Sequence, residues 1–218
     1  MGKIKQGILG GFHNKVGTVI GSSWKGIAVM RSMPLSVANP KTAAQVSVRG
    51  KFSQVVNIAQ RELAEVIQPN FNRQAKQMSG YNLFCKLNMD VYKGKTFGEM
   101  RSAMVFAKGA LSCTGVSAQW DSEESRWTIR YSTSNIAPKD SATDLVRVVV
   151  LDFPSGANGL EDAVITNILD GYETRNDGSK VLYGVAKQTG HTYCAYVYFV
   201  SEDGKETSDS VPTLLPMS

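Results

Sequence analysis

The first 61 residues of this 218-residue chain contain no Asp and no Glu, against nine Lys or Arg. Lys3, Lys5, Lys15, Lys25, Arg31, Lys41, Arg49, Lys51 and Arg61 all precede the first acid, Glu62. Other scarcities narrow the chemistry. There are two histidines, His13 and His191, and three scattered cysteines, Cys85, Cys113 and Cys194. Nothing has the spacing of a zinc site or a CxxC pair, and the cysteines read as small buried hydrophobes kept reduced. No apolar run approaches the ~20 residues that a membrane-spanning helix needs. The start has basic residues but no apolar signal core, so neither secretion by the usual signal nor a membrane partner is expected. Gln6 stands where a myristoylation start needs Ser or Thr. The expected location is the cytoplasm during synthesis.

What is present is glycine and positive charge. Seven glycines fall within the first 26 positions. Residues 1–101 carry 15 basic and 4 acidic side chains, whereas 102–218 carry 9 and 15. Such opposed halves favour a polyanionic partner for the basic half or contact between copies.

The pattern along the chain suggests an α+β protein in three parts. Residues 1–38 read as a basic, glycine-rich arm with a β-hairpin: Val16 to Trp24 and Ile27 to Ser32 are β-prone runs around Lys25-Gly26. Residues 39–101 read as helical. Thr42 and Gln45 have the spacing of a capping box, in which each side chain bonds the other's amide. Apolar residues then recur at Phe52, Val55, Val56, Ala59, Leu63, Val66 and Ile67, one stripe of a helix running from about Thr42 to Ile67 and ended by Pro69. At ~1.5 Å per residue it spans roughly 38 Å. A shorter helix is expected from Ser79 to Val91, with Tyr81, Phe84, Cys85 and Asn88 on one side.

Residues 102–218 alternate β-branched runs with Gly, Asp, Asn and Ser clusters. Strands are expected at 104–106, 115–120, 126–132, 144–153, 162–169, 179–185, 192–201 and 207–214, with 126–131 and 193–199 half-buried. Short strands at this spacing suggest an antiparallel sandwich of immunoglobulin or fibronectin type, or an interrupted pair of smaller sheets.

Catalytic motifs are not found. Gly21-Ser-Ser-Trp-Lys-Gly lacks the order of a phosphate loop, and a strand follows where a helix should. The acid clusters Asp121/Glu123/Glu124, Glu161/Asp162 and Glu202/Asp203 sit at expected turns. No catalytic residue, metal ligand or cofactor is assigned.

One set of positions in the N-terminal third forms a pattern: Gly7, Gly10, Gly11, Lys15, Val16, Gly17, Gly21, Trp24, Lys25, Gly26, Arg31 and Pro34, followed by Asn39, Pro40, Lys41, Thr42, Gln45, Arg49 and Phe52. In these positions the chain resembles a family of uncharacterised proteins from Bacteroidetes and their phages. A Ser-Gly pair common in that family is His13-Asn14 here, and Asn is the natural substitute where a turn needs positive φ. The resemblance is specific over about residues 1–55. Its helix opening is also similar to segments of tailed-phage virion proteins, which implies a virion or prophage origin.

The leading expectation is a non-enzymatic structural or assembly protein that contacts other subunits, as a homo- or hetero-oligomer, through Phe12, Lys15, Trp24, Lys25 and Arg31. A second expectation is non-specific nucleic-acid contact through Lys3, Lys5, Lys15, Arg49 and Lys51. A third is a carbohydrate- or protein-binding sandwich with an aromatic face drawn from Trp120, Trp127, Tyr131, Tyr193, Tyr196 and Tyr198.

Overall fold

The computed structural model describes residues 2–3, 12–92 and 95–216, with positions 2, 3, 24 and 92 described by backbone alone. Lys5 and Gly7 to Gly11 lie outside the described residues. The chain divides into two compact units, Met1–Ala43 and Ala44–Ser218.

The first unit is a four-stranded antiparallel sheet in the order β1-β4-β3-β2. Its strands are β1 (Gly2–Lys3), β2 (Asn14–Val16), β3 (Val19–Trp24) and β4 (Ile27–Ser32). The expected hairpin is present as β3 and β4. Lys25 (φ +48°) and Gly26 (φ +80°) form its two-residue turn, and positive φ at both matches the twist of the strands. The run expected to begin at Val16 is divided, because Gly17 (φ +58°) turns the chain and adds β2 as a further strand. Asn14, expected to stand where a turn needs positive φ, has φ +76°.

The second unit begins with α1 (Ala43–Arg61), then a π-helical turn at Leu63–Ile67, and α2 (Gln68–Phe71). Pro69 therefore does not end the helical run; it sits in the first turn of α2, where an amide is not needed. The π turn corrects the expected continuous helix. The amides of Val66 and Ile67 both donate to the Glu62 carbonyl, at 3.1 and 2.9 Å. The widened turn lets Glu62 and Glu65 both accept from Nδ2 of Asn167. α3 (Gly80–Met89) is capped by Ser79, whose hydroxyl accepts from the Asn82 amide at 3.2 Å, and it buries Phe84, Cys85 and Asn88. A 3-10 turn at Asp90–Tyr92 and α4 (Phe97–Met100) follow.

Seven strands complete the unit: β5 (Ser117–Asp121), β6 (Arg126–Arg130), β7 (Leu145–Phe153), β8 (Val164–Ile168), β9 (Ser179–Leu182), β10 (Thr192–Val200) and β11 (Val211–Leu214). They form a three-stranded sheet, β5-β6-β9, and a four-stranded sheet, β11-β10-β7-β8, all antiparallel. The expected strand at 104–106 does not form. Its buried amides bond side chains instead: Met104 to the Tyr196 hydroxyl, Val105 to Asn88 Oδ1 and Phe106 to Ser210 Oγ, at 2.9–3.1 Å.

Two cores explain the strand sequences. Trp127 and Ile129 of β6 and Leu182 of β9 meet Val146, Val148 and Val150 of β7 and Ala195, Val197 and Phe199 of β10. On the opposite face of β7 and β10, Val149, Leu151, Cys194, Tyr196 and Tyr198 pack with Ile58, Ala59, Ile67, Phe71, Phe84 and Phe106. Residues 193–199 are thus buried on both faces rather than half-buried. Among the described residues, neither core contains one before Val55.

A buried ion cluster ties the loops between the sheets. Arg175 is 1% exposed and donates to Asp144 Oδ2 at 3.1 and 3.2 Å and to the Ser112 carbonyl at 2.9 Å. Its guanidinium lies 4.0 Å from the Phe199 ring centroid, and Asp140 adds a second carboxylate at 3.4 Å.

Candidate interaction surface

The pleat of the N-terminal sheet sorts its residues into two faces. Lys15, Ile20 and Arg31 form one cross-strand row, while Val16 and Val19 form the next, on the opposite face. On that opposite face Phe12, Val16, Val19 and Met30 line an apolar cavity of about 490 Å³. Gly21 makes its floor. A Cβ there would lie 2.2 Å from the Phe12 carbonyl oxygen and 2.5 Å from its ring, so only glycine lets Phe12 settle. Val16 remains 63% exposed beside this cavity.

From Met30 to Gly50 every residue is exposed. This tract includes Met33, Leu35, Val37, Val46 and Val48, and Phe52 continues it. Leu35 is fully exposed, and Val37 is 78% exposed. Phe52, expected in the buried helix stripe, is half uncovered; the covered part of α1 begins at Val55, with Ile58 and Ala59. Large apolar side chains left in water along one continuous tract mark a contact surface more often than scattered single ones do.

The residues singled out from the sequence fall on this region unevenly. Phe12 is half-buried at the cavity, and Lys15 and Arg31 share a row and are exposed. Lys25 is in the β3–β4 turn, and Trp24 pairs with Ile27 at the end of the hairpin. Thr42 immediately precedes α1 and Gln45 lies in its first turn. Arg49 and Lys51 are on α1, exposed and partly exposed, and Lys3 pairs with Val29 in β1. The sequence reading missed Leu35, Val37, Val46 and Val48. Alternation of Leu35 and Val37 was the available signal.

The third expectation loses its aromatic face. Trp127, Tyr131, Tyr193, Tyr196 and Tyr198 are all buried, and of that set Trp120 alone is partly exposed, its ring 4.6 Å from that of Trp127. The acid clusters are turned onto backbone and near neighbours. Asp121 accepts from the amides of Glu123 and Glu124, Asp162 from those of Asn158 and Gly159, and Asp203 from that of Lys205. These bonds hold Asp162 below the usual carboxylate range; in Asp203 the side chains of Lys205 and Ser201 act with the Lys205 amide to the same end. Among the described residues no three His, Cys, Asp or Glu side chains gather as metal ligands, and no helix is long and apolar enough to cross a membrane. All three cysteines are free, and burial pushes the Cys113 and Cys194 thiols up to about 12.

A family model for DUF6266, a family of unknown function, matches residues 8–213. The chain belongs to that family. The match spans both units. No curated protein and no solved structure matches the chain.

Proposed function

We propose that this DUF6266 chain is a non-enzymatic structural or assembly protein that contacts another copy, or another assembly subunit, through its N-terminal sheet and the tract that follows. One observation carries the reading: apolar residues stay uncovered from Met30 through Phe52, while both cores close without any described residue before Val55. An apolar surface that the chain itself does not need is suited to a protein partner. The direction of the acid clusters onto turn amides supports binding over catalysis. A phage virion or prophage-derived role is part of the proposal and rests on the resemblance of residues 1–55.

The strand order also supports the immunoglobulin or fibronectin-like reading of 102–218. The chain crosses between sheets after β6, β8 and β9, leaving three strands facing four across the Trp127 core.

The test is native mass measurement of the full chain and of a chain lacking residues 1–38. The cores omit those residues, so the shortened chain keeps its fold. Assembly of the full chain and loss of it on truncation are expected; equal assembly of both overturns the proposal. A second reading, phosphate contact, is favoured by the pairing of Lys15 and Arg31 in one cross-strand row and by the exposed Lys41 and Arg49 beyond it. It requires DNA binding that weakens steeply with salt. Binding indifferent to salt, or none at low ionic strength, overturns it.

A further inference from the structure

We propose that residues 35–38 of one copy add as a strand to the open edge of β8 in a second copy. The inference rests on the assembly reading above and names the two surfaces that would meet.

Sheet edges in folded proteins are normally blocked by proline, by charge or by an inward-pointing polar residue, since an open edge pairs with any extended chain. Among the described residues, three of the four sheet edges in the second unit carry such guards. β11 carries Pro212, which has no amide to offer. β9 turns Lys180 inward, where its Nζ bonds the Asp170 carbonyl and Glu173 at 2.8 and 2.9 Å. β5 shows only Ser117 and Gln119 outward and closes on Asp121. β8 is the least guarded. Its sequence, VITNI, has no proline, glycine or charge, its polar Asn167 is held by Glu62 and Glu65 of its own chain, it forms the outer strand beside β7, and Val164 is 56% exposed.

The occupant is marked by pattern and charge. Leu35 and Val37 alternate with Ser36 and Ala38, the period of a strand with one apolar face. Four residues equal the length of β9 or β11. The tract is anchored at its start, because the Met33 amide donates to the Thr18 carbonyl at 2.7 Å, yet it forms no ladder of its own. Pro34 shares the register of Ser36, so with Leu35 and Val37 paired to β8 it would face away and block a further strand. Arg31 and Lys41 flank the tract, whereas Glu161 and Asp162 precede β8 and Asp170 follows it. The cations nearest that edge in sequence or bonding are already engaged: Arg61 donates to the Ala163 carbonyl and Arg147 to that of Gly171. Leu35 and Val37 are exposed in the first unit and Val164 in the second, and the assembly reading assigns their pairing to two copies. This is strand addition, in which backbone bonds supply affinity and alternate side chains supply fit.

The test uses full-length chains. Leu35→Cys and Val164→Cys are made in separate preparations, mixed and oxidised with diamide; the native thiols are buried or half-buried and compete poorly. A covalent dimer in the mixture and little in either preparation alone is the expected result. Val164→Lys, an edge charge at an exposed position, should weaken assembly about tenfold or more with an unchanged melting temperature. If the wild-type chain assembles through residues 1–38 but Val164→Lys assembles equally and no mixed disulfide forms, the strand addition is overturned and the assembly reading survives. A wild-type chain that stays monomeric at every concentration overturns both.

Discussion

Gly21 is the residue on which the N-terminal cavity depends. Alanine there sets a methyl against the Phe12 carbonyl and ring, and one of them must leave. Gly21→Ala should therefore impair assembly while leaving the melting temperature of the second unit unchanged, a pair of readings given by native mass and circular dichroism. Arg175 behaves oppositely. Removing a buried cation strands Asp140 and Asp144, so Arg175→Ala should cost about 3–5 kcal/mol in urea unfolding. Asp140 also links stability to pH. Burial raises its pKa, but the Ser112 hydroxyl and the amides of Ser112, Ala137 and Ile136 outweigh this and hold it below the ordinary value. A depressed folded-state pKa means stability that is present above the unfolded pKa, about 3.9, and lost as pH falls through the folded value. Melting temperature should drop below about pH 4. Asp140→Asn should shallow that acid limb without abolishing it, because Glu173 and Asp177 are depressed too. At this scale the sequence was readable where backbone geometry speaks: Asn14 and Gly26 take positive φ as their residue types suggest, whereas Lys25 takes it against type. Arg175 carried no such mark, since its partners come from Ser112, Asp140 and Asp144, far away along the chain.

Periodicity placed the helices and most strands but could not tell which apolar stripe the fold would cover. Phe52 and Ala59 fall on one line of a helical wheel, yet Ala59 is sealed, as is Ile58 off that line, while Phe52 is half open. Ile58→Ala should cost about 2–5 kcal/mol, whereas Phe52→Ser should stay within about 0.5 kcal/mol, as measured by chemical denaturation of each variant. The π turn was hidden for a related reason. The partner that the widened turn reaches, Asn167, which bonds Glu62 and Glu65, lies about a hundred residues away. Residues 104–106 were misread because a buried extended segment and a strand have the same composition. The side chains of Tyr196, Asn88 and Ser210, rather than a neighbouring strand, take up its amides.

Across the molecule, charge is divided between the first 101 residues, net +11, and the rest, net −6. If copies meet through exposed Arg31 and Lys41 and the acids around β8, raising salt from about 0.05 to about 0.5 M should weaken assembly, since the Debye length contracts from ~14 to ~4 Å. Sedimentation at both salts checks this; association that strengthens with salt would point to the apolar residues alone. The charge division was visible in the sequence, but its meaning needed the two units to be seen as separate, with the cores closed by Val55 and residues beyond it. That closure has a consequence for mutational scanning. A screen that reads folding, by protease resistance or a solubility reporter, would score almost every substitution between 12 and 53 as silent. The same library read by particle size would find its sensitive positions there, and the disagreement between the two maps would itself outline the contact surface.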